Sequence, residues 1–264
     1  MSQQPIRFDD GAAYERGMGI WSRLAGQVFL DWLALPPGLR WIDVGCGNGA
    51  FTELLIQRCA PTEMRGIDPS EAQLAFARMR PAARGAVFLH GDAMALPFEG
   101  GRFDAAVMAL VIFFVPDPAR GVAELTRVVC PGGTVAAYAW DMFGGGFPFT
   151  PIQVEMRALG VTPTLPPSAQ VSRMAALRDL WTGAGLEAIE TREIAVRRTF
   201  ADFEYFWSSS TITGGMRATL AAMAAREIEH LKARVRARLS ADASAPLICY
   251  ARANAIRGRV PTSA

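Results

Sequence analysis

The stretch Asp43-Val-Gly-Cys-Gly-Asn-Gly49 joins an apolar run that ends at Ile42 to a helical pattern that begins at Ala50. A strand that passes through a glycine turn directly into a helix is typical of nucleotide-cofactor loops. Glycine accepts a positive φ and lets a ligand approach bare backbone, while the first turn of the helix offers unpaired N–H groups. The stretch therefore predicts a cofactor loop at the carboxyl end of a strand.

The charge of Asp43 bears on which cofactor such a loop would hold. An anion two positions before the first glycine would repel a pyrophosphate but attract a cationic amine. S-adenosylmethionine carries an amine and no phosphate, so this residue favours it. However, Gly45, Gly47 and Ala50 also satisfy the glycine spacing of the dinucleotide fingerprint. The loop alone leaves both cofactors open, and an ordinary tight strand-to-helix turn is a third interpretation.

Two acidic residues follow the next two predicted strands. Asp68 ends a short second strand about 20 residues after the glycines, where a carboxylate can accept both ribose hydroxyls of either cofactor. Asp92 follows a third strand that begins near Val87. An acid at that point can accept a hydrogen bond from an adenine amino group, with Ala93 and Met94 lining the ring. Both acids support an adenosine ligand without choosing between the two cofactors.

The segments that follow predict a covered parallel sheet. Residues Phe103–Ile112 form a continuous apolar run, which is typical of a parallel strand buried on both faces. A helix from Pro118 to Val129 and a strand from Thr134 to Trp140 come next. Strands that alternate with helices in this way predict an α/β protein with a doubly wound, Rossmann-like sheet.

Taken together, these motifs resemble the class I S-adenosylmethionine-dependent methyltransferases, and within them the group similar to the ubiquinone and menaquinone biosynthesis methyltransferases. The resemblance covers roughly the first 140 residues. The matching segments are Asp43–Gly49, Gly66–Ser70, Gly91–Ala93, Phe103–Asp104, Val115–Asp117 and Leu125–Gly133. The resemblance implies about seven strands, with the last strand, Pro246–Ile256, antiparallel between the fifth and the sixth, Leu186–Val196. It also implies S-adenosylmethionine as the cofactor.

The resemblance further implies a role for each matched residue. Asp43 and the glycine loop would face the methionine part, Asp68 the ribose, Asp92 and Ala93 the adenine, and Ala109 with the residue after it the floor of the cleft. The expected cofactor-binding residues are Tyr14, Asp43, Gly45, Cys46, Gly47, Gly49, Asp68, Pro69, Asp92, Ala93 and Ala109.

One departure from the group concerns the acceptor. Many relatives have one or two histidines before the Val-Pro-Asp element, whereas this chain has Phe113 and Phe114. This difference weakens the assignment of a quinone-type acceptor. We expect a small apolar or aromatic acceptor, with Phe113 and Phe114 at the mouth of its cleft.

The N-terminal segment Tyr14–Arg23 resembles the tyrosine-containing first helix that closes over the cofactor in this group. Gly17 and Gly19 make it a poor helix, so we expect residues 1–38 to supply mobile lid helices. The alternative is an ordinary amphipathic helix packed on the sheet edge, since Met18 and Trp21 are also natural core residues at helical spacing.

Length, charge and cysteine content narrow the class of protein. The 264 residues fit one methyltransferase domain, and a formal net charge of +2 argues against a nucleic-acid surface over the whole protein. We expect a cytoplasmic protein, because no apolar run is long enough for a membrane span and no signal peptide is recognisable. The four cysteines include no Cys-x-x-Cys pair and the two histidines lie far apart, so no metal site is expected. Cys46 is interpreted as a packing residue.

Two segments after the cofactor-binding core, residues 39–140, are predicted to form a substrate cap. Residues 141–172 contain glycine- and proline-rich breaks, and residues 198–240 contain an aromatic stretch and a long helix, Met216–Leu239. Such segments lie over the carboxyl ends of parallel strands, where open α/β sheets bind ligands. The long helix carries a basic cluster around Arg234, which we interpret as a solvated face. Binding of an acidic substrate or RNA is the alternative.

The expected reaction needs few catalytic groups. A methyl group on a sulfonium is already an activated electrophile, so alignment of the acceptor and exclusion of water are the main requirements. If the acceptor must lose a proton, Asp141, Tyr205 and His230 are candidates, but the sequence assigns no catalytic residue. Methylation of protein or RNA, a non-enzymatic regulator, and a nicotinamide-dependent oxidoreductase remain as alternatives, and Asp43 has the wrong charge for the last.

Overall fold

A seven-stranded sheet forms the centre of the computed structural model, which describes residues 15–212, 214–239 and 246–262. The strands are β1 (Arg40–Val44), β2 (Glu63–Asp68), β3 (Ala86–His90), β4 (Phe103–Ala109), β5 (Val129–Trp140), β6 (Glu187–Phe200) and β7 (Leu247–Arg259). Their order is β3-β2-β1-β4-β5-β7-β6, with β1 to β5 parallel and β7 antiparallel to both β5 and β6. The predicted Rossmann-like α/β sheet, including the antiparallel last strand between the fifth and the sixth, is confirmed.

The helices pack around this sheet. They are α1 (Ile20–Leu33), α2 (Ala50–Cys59), α3 (Glu71–Met79), α4 (Pro118–Val128), α5 (Thr150–Ala158), α6 (Met174–Gly183), α7 (Phe203–Thr211), α8 (Gly214–Ala221) and α9 (Ala225–Arg238). Helix α1 packs against α2, β6 and β7, whereas α4 packs against α6 and β5. Local chemistry sets several starts: Ser70 and Asp117 accept hydrogen bonds from the first turns of α3 and α4, as N-cap residues do.

Large side chains from the sheet and α1 fill the core. Trp21, Trp41 and Trp181 are completely buried, and the rings of Phe29 and Tyr138 lie 4.5 Å apart. Strand β4 is buried along most of its length, as the continuous apolar run predicts for a covered parallel strand. Burial of each such side chain stabilises the fold by about 1.5–3 kcal/mol relative to exposure. No helix in the described ranges is long and apolar enough to cross a membrane.

Strand β4 ends earlier than the apolar run. It ends at Ala109, because Leu110 adopts a left-handed backbone conformation with φ +61°, and residues Ile112–Phe114 then form a short 3₁₀ turn. A positive φ is uncommon outside glycine, and an unbroken run of apolar residues therefore does not indicate a turn at Leu110.

Strand β6 extends beyond the predicted end at Val196. It pairs with β7 as far as Phe200, and the buried residues alternate along this extension. Arg198 occupies one of the buried positions, stacked over Phe200 at 4.3 Å and donating a hydrogen bond to the carbonyl oxygen of Gly17. Because arginine is usually exposed, nothing in the sequence indicates that Arg198 is buried, and the predicted strand therefore ends before it.

The long helix expected over Met216–Leu239 is two helices, α8 and α9. The backbone at Ala224 is extended, with φ −70° and ψ 149°, and its N–H donates to the carboxylate of Glu227, which starts α9. Alanines occupy the break, so neither glycine nor proline marks it in the sequence.

The N-terminal segment begins, in the part that the structure describes, with a π-helical turn over Glu15–Gly19 that leads into α1. Trp21 packs on Phe200, with ring centroids 6.2 Å apart, so α1 contacts the sheet here; the mobile lid stays a prediction. Tyr14 lies outside the described residues, so its contact with the cofactor stays a prediction.

Candidate cofactor and acceptor site

The glycine loop lies between β1 and α2, at the carboxyl edge of the sheet. The N–H groups of Gly45 and Cys46 both donate to the carbonyl oxygen of Ile67, at 2.7 and 3.0 Å. Gly45, Gly47 and Gly49 have φ values of +77°, +52° and +77°. A Cβ at Gly45 would lie 2.3 Å from Val111, whereas a Cβ at Gly47 would meet no atom of the described residues within 4 Å. Gly45 thus permits close packing, and Gly47 leaves bare backbone facing open space.

Asp68 connects the end of β2 to this loop. Its carboxylate accepts hydrogen bonds from the N–H groups of Gly47 and Ser70, both at 2.8 Å, and the residue is only 8% exposed. Burial raises the pKa of Asp68, and the two backbone hydrogen bonds oppose that rise. A carboxylate offers about four lone-pair sites, so two further donors could be accepted here.

Asp43 lies beneath the loop and is completely buried. Thr52 donates to one of its oxygens at 2.6 Å, and the other oxygen, Oδ1, has no hydrogen-bond partner among the described residues. Burial raises the pKa of Asp43 to about 7. In this conformation the carboxylate has no surface that a ligand can touch, so its direct contact with an amine stays a prediction.

The remaining predicted site residues lie near the same edge. Asp92 is exposed in the turn after β3 and accepts from the N–H of Met94 at 2.8 Å, while Ala93 is half-buried. Ala109 is half-buried at the end of β4, and Pro69 is exposed after β2. Because the carboxyl ends of β1 to β4 meet here, the fold brings these residues to one edge; their individual roles stay predictions.

Cys46 has the surroundings of a packing residue. It is 6% exposed and lies in a buried cluster with Leu74, Ala77 and Phe88. Burial raises the pKa of its thiol well above the ordinary value, so the thiolate that a nucleophile requires is disfavoured.

Sequence reasoning missed the polar side chains that surround the loop from outside. Asn48 donates to Glu15 at 3.0 Å, and Arg80 binds Glu15, Glu53 and the carbonyl oxygen of Asn48. These partners are brought together only by the tertiary fold, and no local pattern marks them.

The aromatic residues expected around the acceptor are packed together. Phe113 is 2% exposed and its ring centroid lies 4.7 Å from that of Phe114, which is half-buried. Phe113 therefore lies within the core and not at the mouth of a cleft. In the second cap segment Phe200 and Phe206 are completely buried, with centroids 5.2 Å apart. These rings form the apolar interior of the cap.

None of the three candidate bases is placed as a free base in a cleft. Asp141 binds Arg252, with Nε to Oδ2 at 3.1 Å, and accepts from the N–H of Gly144 at 2.8 Å. These residues also hold the triple-glycine segment 144–146. Tyr205 and His230 are exposed. The structure assigns no catalytic base.

The basic cluster on α9 is paired with acids of the same chain, but its arginine side chains stay 40–45% exposed, so the solvated face stays a prediction. Lys232 and Arg236 bind Glu204 on α7. Arg234 and Arg238 bind the two oxygens of a second acid, Glu155 on α5, at 2.7 and 2.5 Å. Glu155 is only 5% exposed, and its arginine partners lower its pKa. Helix α9 therefore ties together the two predicted cap segments. Across the described ranges, no three histidine, cysteine, aspartate or glutamate side chains gather into a group that could hold a metal ion.

The sheet order, the glycine loop after β1 and the acids at the strand ends together define a Rossmann-like methyltransferase fold. Comparison with known proteins agrees: residues 42–137 match a family model described as a methyltransferase domain.

Two curated relatives resemble part of the chain. 2-Methyl-6-phytyl-1,4-hydroquinone methyltransferase 2 of Oryza sativa subsp. japonica is 41% identical over 95 residues, which are 36% of this chain and 27% of the relative. Demethylmenaquinone methyltransferase of Bacillus cytotoxicus is 39% identical over 103 residues, 38% of this chain and 44% of the relative. The matched segments thus span less than half the length of these relatives.

A solved structure extends the likeness to nearly the whole fold. Phosphoethanolamine N-methyltransferase 2 of Haemonchus contortus is 17% identical, with a TM-score of 0.56 over 94% of this chain and 56% of that one. The chain is therefore similar to the class I S-adenosylmethionine-dependent methyltransferases of the ubiquinone and menaquinone group, which confirms the resemblance that the sequence motifs indicate.

Proposed function

We propose that this protein transfers the methyl group of S-adenosylmethionine to a small, apolar or aromatic acceptor molecule. The observation that carries the proposal is the glycine loop, which presents bare backbone at Gly47, binds Asp68 beside it and covers Asp43. The two curated relatives are named for methylating a hydroquinone and a demethylmenaquinone, which supports methyl transfer as the reaction.

The residues of the loop fit this cofactor. A buried carboxyl such as Asp43, whose pKa burial raises to about 7, is stabilised in its ionised form by a nearby cation and destabilised by a nearby anion. This favours an ammonium group over a pyrophosphate. The remaining lone pairs of Asp68 suit a pair of ribose hydroxyls. When bound, the cofactor supplies the activated methyl group; the chain binds it, orients the acceptor and excludes water.

The nature of the acceptor is inferred from the cap and not from the relatives. The family model ends at residue 137, before both predicted cap segments, so that match says nothing about the part that would hold the acceptor. A polymer with a phosphate backbone would need free cations beside an open groove. Lys232, Arg234, Arg236 and Arg238 are instead bound to acids of the same chain. These contacts favour a small acceptor over a polymer.

The cofactor assignment is tested by calorimetry with S-adenosylmethionine and S-adenosylhomocysteine. Asp68→Ala should weaken binding by roughly 1.5–3 kcal/mol, the range for hydrogen bonds to charged groups, because it removes the acceptor of the ribose and of the Gly47 N–H. Asp31→Ala is the matched control, since Asp31 is an exposed carboxylate paired with Arg58 away from the loop. Binding of NADH by the wild-type protein, without binding of either adenosyl compound, would refute the assignment.

The acceptor class is tested with cofactor labelled in its methyl group. Cell extract is incubated with the protein, and the small-molecule and macromolecular fractions are analysed separately by mass spectrometry. We expect label in a small apolar product. Label found mainly in precipitated protein or nucleic acid would contradict the proposed acceptor.

A further inference from the structure

A polar network holds Asn48, which lies between Gly47 and Gly49 in the cofactor loop. Asn48 is 3% exposed, and its side chain and its main-chain oxygen are all hydrogen-bonded. Its side-chain N–H donates to Glu15 at 3.0 Å, its side-chain oxygen accepts from the N–H of Ala50 at 3.2 Å, and its main-chain oxygen accepts from Arg80. The loop is thus held by residues that lie outside it in the sequence.

Arg80 joins the parts of this network. Its guanidinium binds Glu15, in the π-helical turn, and Glu53, in the first turn of α2, the latter at 2.8 Å. The Arg80 side chain is 19% exposed, so these charges are partly shielded from solvent. Glu15 therefore contacts both the loop residue Asn48 and the cation that holds the main chain of that residue.

Positive-φ glycines explain why such support matters. Gly47 and Gly49 flank Asn48, and glycine loses more conformational freedom than any other residue when it is fixed in one conformation. If the loop is already ordered in the free protein, the entropy cost of ordering it does not reduce the binding free energy. An external tie on Asn48 can therefore raise affinity without touching the ligand.

We propose that Glu15 is a positioning residue that holds the cofactor loop in its binding shape through Asn48 and Arg80. This inference rests on the proposed function, because the benefit of an ordered loop is tighter binding of S-adenosylmethionine. It makes the segment before α1 part of the cofactor site even where it does not contact the cofactor.

The test compares Glu15→Ala with a matched control in two measurements. Glu190→Ala is the control, because Glu190 binds Arg257 at 2.8 Å with similar exposure, 55% and 26% for the pair against 42% and 19% for Glu15 and Arg80. The first measurement is the Kd for S-adenosylhomocysteine. The second is amide hydrogen exchange over residues 45–50 in the protein without ligand.

Glu15→Ala should weaken binding by about 3- to 10-fold and speed exchange at the loop amides, since it removes a hydrogen bond to a charged group and a partly exposed ion pair. Glu190→Ala should change neither measurement. Glu15→Gln, which can still accept from Asn48 but loses the charge, should fall between the two.

Unchanged loop exchange in Glu15→Ala would overturn the proposal, and so would faster exchange with an unchanged Kd. If Glu15→Ala fails to fold, the same two measurements on Glu15→Gln decide. If the wild-type protein binds no adenosyl compound, the proposed function fails, and the exchange measurement alone then shows whether Glu15 orders the loop.

Discussion

Replacement of the buried acid beneath the loop should change how stability depends on pH. In the unfolded chain Asp43 has the ordinary pKa near 3.8, whereas burial raises the pKa in the folded protein to about 7. Between these values the folded state keeps a proton that the unfolded state has released. The free energy of unfolding therefore falls as pH rises, by about 1.4 kcal/mol per pH unit. Asp43→Asn removes this dependence.

The magnitude follows from the width of that pH window. Between about pH 5 and about pH 7 the wild-type protein should lose about 2 kcal/mol relative to the variant, on top of the losses that both share, because the slope flattens as Asp43 ionises in the folded state near pH 7. The variant also carries a cost that does not depend on pH, because its new amide donor replaces Oδ1, which has no partner among the described residues. The difference between the two proteins should therefore shift steadily with pH in favour of Asp43→Asn.

Urea denaturation followed by tryptophan fluorescence at several pH values measures this difference. Asp31→Asn serves as the control, because Asp31 is an exposed carboxylate. Its curve should run parallel to that of the wild type. A constant difference between wild type and Asp43→Asn across the window would refute the reasoning, since it would mean that Asp43 titrates alike in the folded and unfolded states.

Two further predictions concern packing at the loop and charge in the cap. Gly45→Ala places a Cβ 2.3 Å from Val111 at a positive φ, so it should destabilise the fold by roughly 1–3 kcal/mol and abolish cofactor binding. Denaturation and binding assays measure the two effects. Gly85→Ala is the control and should show neither effect, because a Cβ there meets no described atom within 4 Å. Glu155→Gln removes the charge that two arginines of α9 share, and should lower Tm by about 2–4 °C and expose α9 to limited proteolysis. A proteolysis pattern identical to that of the wild type would show that apolar contacts alone hold α9.

The fold of the predicted cofactor-binding core could be predicted from the sequence because its signals are local. A run of apolar residues such as Phe103–Ala109 is sufficient to indicate a buried parallel strand, and glycines before a helix indicate the loop. The acids Asp68 and Asp92 follow from their position directly after strands. The topology, with β7 between β5 and β6, came from resemblance to a family and not from any local pattern.

Other features had no local signal. Leu110 has a left-handed backbone directly after β4. The next residue, Val111, packs against Gly45, where only a residue without a side chain fits. Asp43 seemed in the sequence to be an anion at the ligand surface, yet the sheet buries it completely. Sequence spacing gives the position of a side chain along a strand, but its depth depends on the helices that cover that strand.

Helix α9 illustrates why the acceptor cannot be inferred from sequence similarity alone. Its cations look available in the sequence, because their acidic partners, Glu155 and Glu204, lie in other segments. Once paired, they join α5, α7 and α9, and Phe206 of α7 packs against Phe200 of β6. The methyltransferase-domain model matches residues 42–137, which contain the loop and its acids but none of these cap contacts. The acceptor must therefore be identified by experiment and not from the names of the relatives.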